Sequence, residues 1–155
     1  GLAAAPDNRL LIAFRNPVPQ GRALLIPLLN PERLIAGEKA RFGDPILLEL
    51  GGLGIRDIAF VEGRYLIGAG AYAGGRGEAR LFLWDGKAPR PEIVRAVDLR
   101  RFNPEAIVVY PAPATREVQI LSDDGSGRIA GADCRELKDD NAKRFRALWI
   151  SLGAP

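Results

Sequence analysis

The chain has 155 residues, 47% apolar and 26% charged, with 22 Lys and Arg against 19 Asp and Glu and no histidine. That length holds one domain with a real core, and the composition excludes a disordered chain. The net charge is only +3 and its charges are interspersed, so no nucleic acid partner is expected, and no apolar run approaches the roughly 20 residues that span a bilayer.

Leu2 to Ala5 is a short apolar run stopped by Pro6-Asp7-Asn8, residues that favour a turn. Arg9 to Phe14 reads as a strand, residues 16–21 as a loop, and Ala23 to Leu28 as a strand in which Pro27 marks an edge or a bulge. Asn30 to Gly37 makes one helical turn, with Asn30 as N-cap, Pro31 at the first position and Gly37 as the stop. Ile46 to Leu50 is a fourth strand, and a glycine hinge follows at Gly51, Gly52 and Gly54.

The order then recurs. Asp57 to Val61 is a strand, Glu62-Gly63 a turn, Tyr65 to Ala69 a strand, Gly74 to Gly77 a loop, Arg80 to Trp84 a strand, Asp85-Gly86 a turn and Glu92 to Leu99 a strand. A third unit holds the strand Ala106 to Tyr110, the loop Pro111 to Thr115 and the strand Glu117 to Leu121. It continues with the polar turn Ser122 to Gly127, a less regular stretch to Asn141 and a last strand, Phe145 to Leu152. In this alignment Asp57 matches Glu105, and Ile58 and Ala59 match Ala106 and Ile107.

Four short strands in roughly 50 residues is the period of a β-propeller, although weak β-repeats also arise in sandwiches. The fold expected is all-β: a single domain over 1–155 forming a partial β-propeller of about three four-stranded antiparallel blades, at about 1–54, 55–103 and 104–155. A propeller closes with at least about four blades. The partner expected is therefore a missing remainder of the propeller or a second copy that completes the ring, with a distorted barrel as the other way to close; the missing remainder is the favoured reading.

Without histidine, a Ser-His-Asp triad, a Cys-His pair and a His-Glu-x-x-His zinc site are all excluded within this chain. Carboxylates and arginines remain. In a propeller Arg56, Asp57 and Glu105 would approach one axis, where Asp57 and Glu105 are candidate ligands for calcium, a cation that takes 6–8 oxygens. They would also suit paired-acid glycosidic chemistry, or simply bridge neighbouring blades, which is the plainer reading. Arg15 and the pair Asp123-Asp124 each follow the second strand of a unit, which would set a cation and two carboxylates at one channel mouth as a small-ligand site. Against this, Asp123-Asp124-Gly125 has the composition of a tight turn.

The hinge fails as a dinucleotide fingerprint, because the third glycine position is Asp57 and no helix pattern follows. Trp84 and Trp149 end apolar strands and are expected in the core rather than as a sugar platform. Lys143, Arg144 and Arg146 flank an edge-like strand, where charge opposes edge pairing. The lone Cys134 has no partner for a disulfide or zinc site within the chain; it is a free thiol, or pairs outside it.

Gly1-Leu2-Ala3-Ala4, Phe14-Arg15-Asn16-Pro17, Leu50-Gly51-Gly52-Leu53-Gly54-Ile55-Arg56-Asp57, Leu83-Trp84-Asp85-Gly86, Asn103-Pro104-Glu105-Ala106 and Leu121-Ser122-Asp123-Asp124-Gly125 stand out as a set. Together they resemble an uncharacterised bacterial family known only as a domain of unknown function, whose members look like propellers. The resemblance implies that this chain is similar to the C-terminal half of a longer, often exported protein, and that a cysteine in the other half could pair with Cys134. It implies no catalytic residue. The function expected is a binding or interaction module without catalytic machinery; the alternative is part of a metal-assisted hydrolase, similar in plan to propeller lactonases or phytases.

Overall fold

Apolar runs broken by proline, asparagine and glycine turn the first fifty residues into a meander. In the computed structural model, which describes residues 1–73, 78–99, 102–110 and 117–151, β1 (Leu2–Ala4), β2 (Leu10–Ala13), β3 (Ala23–Leu28) and β4 (Ile46–Leu48) form one antiparallel sheet in that order. Asn8 takes a positive φ of 62° in the first turn, which asparagine tolerates. β4 pairs only with Ala23 to Leu25, while the Pro27 carbonyl accepts from Gly43 N–H at 2.9 Å. Proline therefore stands where its missing N–H costs no rung of the regular ladder.

A single helical turn, α1 (Pro31–Ile35), opens on proline and stops at Gly37, whose φ is +96°. Asn30 holds the N-cap position, but its side chain does not cap. Its Nδ2 instead donates to the Lys39 carbonyl at 3.0 Å and its Oδ1 accepts from Arg41 N–H at 2.7 Å, pinning the segment that returns to the sheet.

The second sheet is another meander, β5 (Gly54–Val61), β6 (Arg64–Gly70), β7 (Ala79–Trp84) and β8 (Glu92–Ile93). Glu62 and Gly63, with φ of 48° and 80°, make the two-residue turn whose twist suits a hairpin. The strand expected over Glu92 to Leu99 is cut to two residues. Beyond it Val94 N–H still donates to the Leu81 carbonyl at 3.0 Å, and Val94, Val97 and Leu99 pack against the core around a turn.

β9 (Pro104–Val109) and β10 (Glu117–Ser122) begin the third sheet. A small hairpin, β11 (Arg128–Ile129) with β12 (Ala132–Asp133), occupies the stretch expected to be irregular. β13 (Ala147–Ser151) then returns to β10, giving the order β13-β10-β9. β13 is thus an edge strand, as its flanking cations suggest. The loops expected at Gly74 to Gly77 and Pro111 to Thr115, and Leu152, lie outside the described residues.

The protein is all-β, with antiparallel sheets of two to four strands, none closed on itself. Its main sheets pack face to face in chain order. Tyr65, Ile67 and Ala69 of β6 meet Leu11, Leu25 and Leu48 of the first sheet, while Leu66 and Leu81 meet Val118, Ile120 and Ile150 of the third. Covered on both faces, β6 has no polar side, which is why Tyr65 to Gly70 shows no alternation.

The outer faces differ. On the first sheet Leu2 is 58% exposed, and Leu10, Ile12, Leu24 and Ile26 lie half-buried beside it. On the third, Trp149 is 48% exposed and stacks on Tyr110 with ring centroids 5.2 Å apart. Trp84 is in the core as expected, but Trp149 is not: Leu148 and Ile150 turn inward, so Trp149 between them turns outward.

Candidate functional site

β1, β5 and β9 begin, and β2, β6 and β10 end, at the same end of their sheets. The glycine hinge builds this end. Gly51 and Gly52 have φ of 68° and 81°, and a Cβ on Gly54 would lie 1.9 Å from the Arg15 carbonyl oxygen. Only glycine lets β5 start there, where Ile55 N–H donates to the Phe14 carbonyl at 3.0 Å.

Two bulges follow. In β5, Ile55 pairs with Ala69 and Asp57 with Gly68, leaving Arg56 without a cross-strand partner. In β9, Pro104 pairs with Ser122 and Ala106 with Leu121, leaving Glu105 in the same state. Arg56, not Asp57, therefore shares Glu105's place, and the alignment of Asp57 with Glu105 is corrected by one residue. An inserted residue bends its strand and re-aims its side chain. Here the two inserted residues meet, Arg56 Nη1 lying 2.9 Å from Glu105 Oε2.

The Arg56 side chain is 3% exposed and that of Glu105 is 51% exposed, so a buried cation faces a wet carboxylate. Arg56 Nη2 and Arg15 Nε both donate to the Ala71 carbonyl, each at 3.3 Å. Asp57 is spent differently: its Oδ2 accepts from Ile107 N–H at 2.7 Å, tying β5 to β9. Gly70 completes the setting, since a Cβ there would lie 2.7 Å from Arg56 Nε. That Nε is the one buried side-chain nitrogen or oxygen among the described residues with no hydrogen-bond partner.

Asp123 and Asp124 do not join this group. Asp123 Oδ1 accepts from Gly125 N–H at 2.9 Å, as a tight turn requires. Asp124 Oδ2 accepts from Arg146 N–H and Nε at 2.9 and 2.8 Å, and its Oδ1 from Arg146 Nη2 and Ser122 Oγ at 2.6 and 3.1 Å. These bonds, that of the Arg146 side chain first, hold its carboxyl below the usual aspartate range.

Cys134 is a buried free thiol whose sulfur bonds the Arg144 backbone at both N–H and carbonyl. Among the described residues no group of three or more Asp, Glu, Cys or His could hold a metal ion. No described helix is long and apolar enough to cross a membrane.

Further out on the same end, Arg22, Arg80, Arg90 and Arg95 ring an open cleft of about 970 Å3 together with Glu49 and Glu92. No spacing in the sequence signals this gathering, because the residues come from four different connections and from strands β7 and β8.

The profile of a family described as "Protein of unknown function (DUF3616)" matches residues 1–117. The chain belongs to this family. No curated protein and no solved structure matches this DUF3616 chain.

Proposed function

We propose that this DUF3616 chain is part of a β-propeller and serves as a binding or interaction module, with its ligand site at the end that carries Arg15, Arg56, Asp57 and Glu105. The meander order of the sheets, their face-to-face succession and the contacts of β5 with both β1 and β9 support the propeller reading. The outer faces support it too. The first is apolar and partly bare, and the third presents Trp149 and Tyr110 beside Gln119, as faces would that take a further four-stranded sheet.

The observation that carries the site is Arg56 Nε. A buried N–H on a charged group costs free energy when it has no acceptor, and such a group calls for an unseen partner. Two guanidiniums share one carbonyl there, and the Glu105 carboxylate on Arg56 is half in water. A ligand with a small anionic, accepting group would complete them.

Acetate and inorganic phosphate are suitable probes, read by the arginine Nε–Hε signals in NMR. One of them should shift the Arg56 and Arg15 signals saturably, and Arg15→Met should weaken binding about tenfold. Signals that do not move with either anion would remove the site from this end.

A further inference from the structure

At the opposite end of the sheets, the β1–β2 turn, the β5–β6 turn and the end of β7 surround a cavity of about 320 Å3 between the first and second sheets. Its walls are apolar and aromatic: Leu11, Ile46, Phe60, Tyr65 and Trp84. Phe60 and Trp84 flank Tyr65, with ring centroids 5.0 and 5.3 Å from it and planes tilted by 58° and 38°. Tilted rings of this kind offer edges and faces to another ring.

Glycine shapes the mouth. Gly86, at φ +81°, lies so close to Tyr65 that a Cβ would stand 3.3 Å from its ring, while Gly63 at φ +80° leaves open space beside it.

The polar groups around the cavity are mostly engaged with one another. Asp7 pairs with Arg9 at 2.6 Å, and Asp85 Oδ1 accepts from the N–H groups of Lys87 and Ala88, each at 2.8 Å. Trp84 Nε1 donates to the Ala88 carbonyl at 2.7 Å. Tyr65 is 5% exposed and lines the cavity; its hydroxyl makes no hydrogen bond to the described residues and is not itself a buried atom, so it is open to an incoming partner. Burial first, and then the Asp7 carboxylate, raise its pKa above the ordinary 10, so it stays a neutral O–H.

We propose that this cavity binds a small phenol-type ligand, one planar ring with a hydroxyl that exchanges a hydrogen bond with Tyr65. The volume is at the lower end for small-molecule sites and suits one ring rather than a nucleotide. Uncharged ring chemistry fits because the nearby carboxylates already have partners. The site shares no residue with the arginine end, so either can fail without the other.

The test compares p-cresol with toluene, which has the same ring and methyl group without the hydroxyl, by Trp84 fluorescence in a Trp149→Phe chain. Saturable binding is expected, with p-cresol about 3–10-fold tighter than toluene. Tyr65→Phe keeps the ring and should bring the two within about twofold of each other. Ala5→Leu, which places bulk in the cavity wall, should abolish the response to both. No saturable response, or a preference for p-cresol that survives in Tyr65→Phe, overturns the proposal. Should Tyr65→Phe not fold, a response that survives Ala5→Leu overturns it equally.

Discussion

Arg146 with Asp124, and Arg56 with Glu105, each join an arginine to a carboxylate at the same end of the sheets, but with burial reversed. In the first pair the carboxylate is inside, 11% exposed, and the arginine half out; every oxygen of Asp124 has a donor. In the second the arginine is inside, the carboxylate is half out, and one buried N–H has nothing to bond. The same residue types thus close a turn in one place and leave a donor waiting in another. What separates them is the completeness of the hydrogen bonding, not the presence of an ion pair, which by itself says little.

The largest effect expected comes from disturbing the frame of the unfinished pair. Gly54→Ala would drive a methyl group into the Arg15 carbonyl, and denaturant melts should show a loss of about 3 kcal/mol. A loss under about 1 kcal/mol would mean that β5 does not start where Gly54 puts it.

Next is the finished pair. Asp124→Asn should cost about 2 kcal/mol at neutral pH, since it removes charge from four hydrogen bonds. The carboxyl's folded pKa lies below its unfolded 3.8, so its contribution is full above that value and is lost as pH falls through the folded pKa. Stability measured from pH 7 down to pH 2 should therefore show the variant and the parent converging below about pH 4. Parallel curves would contradict the sign of the shift.

The smallest effect is the sharpest contrast. Arg56→Met should change stability by no more than about 1 kcal/mol, because Glu105 is left in water and Ala71 keeps the Arg15 bond. A loss near 3 kcal/mol would place Arg56 among the structural pairs, with Asp124.

The strands of the first two sheets were largely legible, because glycine, proline and asparagine mark their turns. The bulges were not. Arg56 looks like the residue just ahead of a strand that starts at Asp57 until β6 is laid beside it, since an inserted residue exists only relative to a partner's register. Trp149 failed for a related reason: alternation shows that Leu148 and Trp149 point opposite ways but not which face is covered. Asn30 has the residue type of a cap, yet two backbone groups of the returning chain compete successfully for its amide. Arg15, Arg56, Asp57 and Glu105 were named from position, and the structure brings them to one end; the aromatic cavity at the other end was not, as its walls come from strands already assigned to the core.

The doubly covered second sheet also sets an order of events during synthesis. When β5 to β8 have left the ribosome, one face of that sheet can already lie against β1 to β4, but Leu66 and Leu81 wait for Val118, Ile120 and Ile150. Through more than fifty further residues of translation, from Ile93 to Ile150, that face is bare or loosely covered. Slow elongation would lengthen this exposure, making the nascent chain a client for a holding chaperone just before its third sheet arrives.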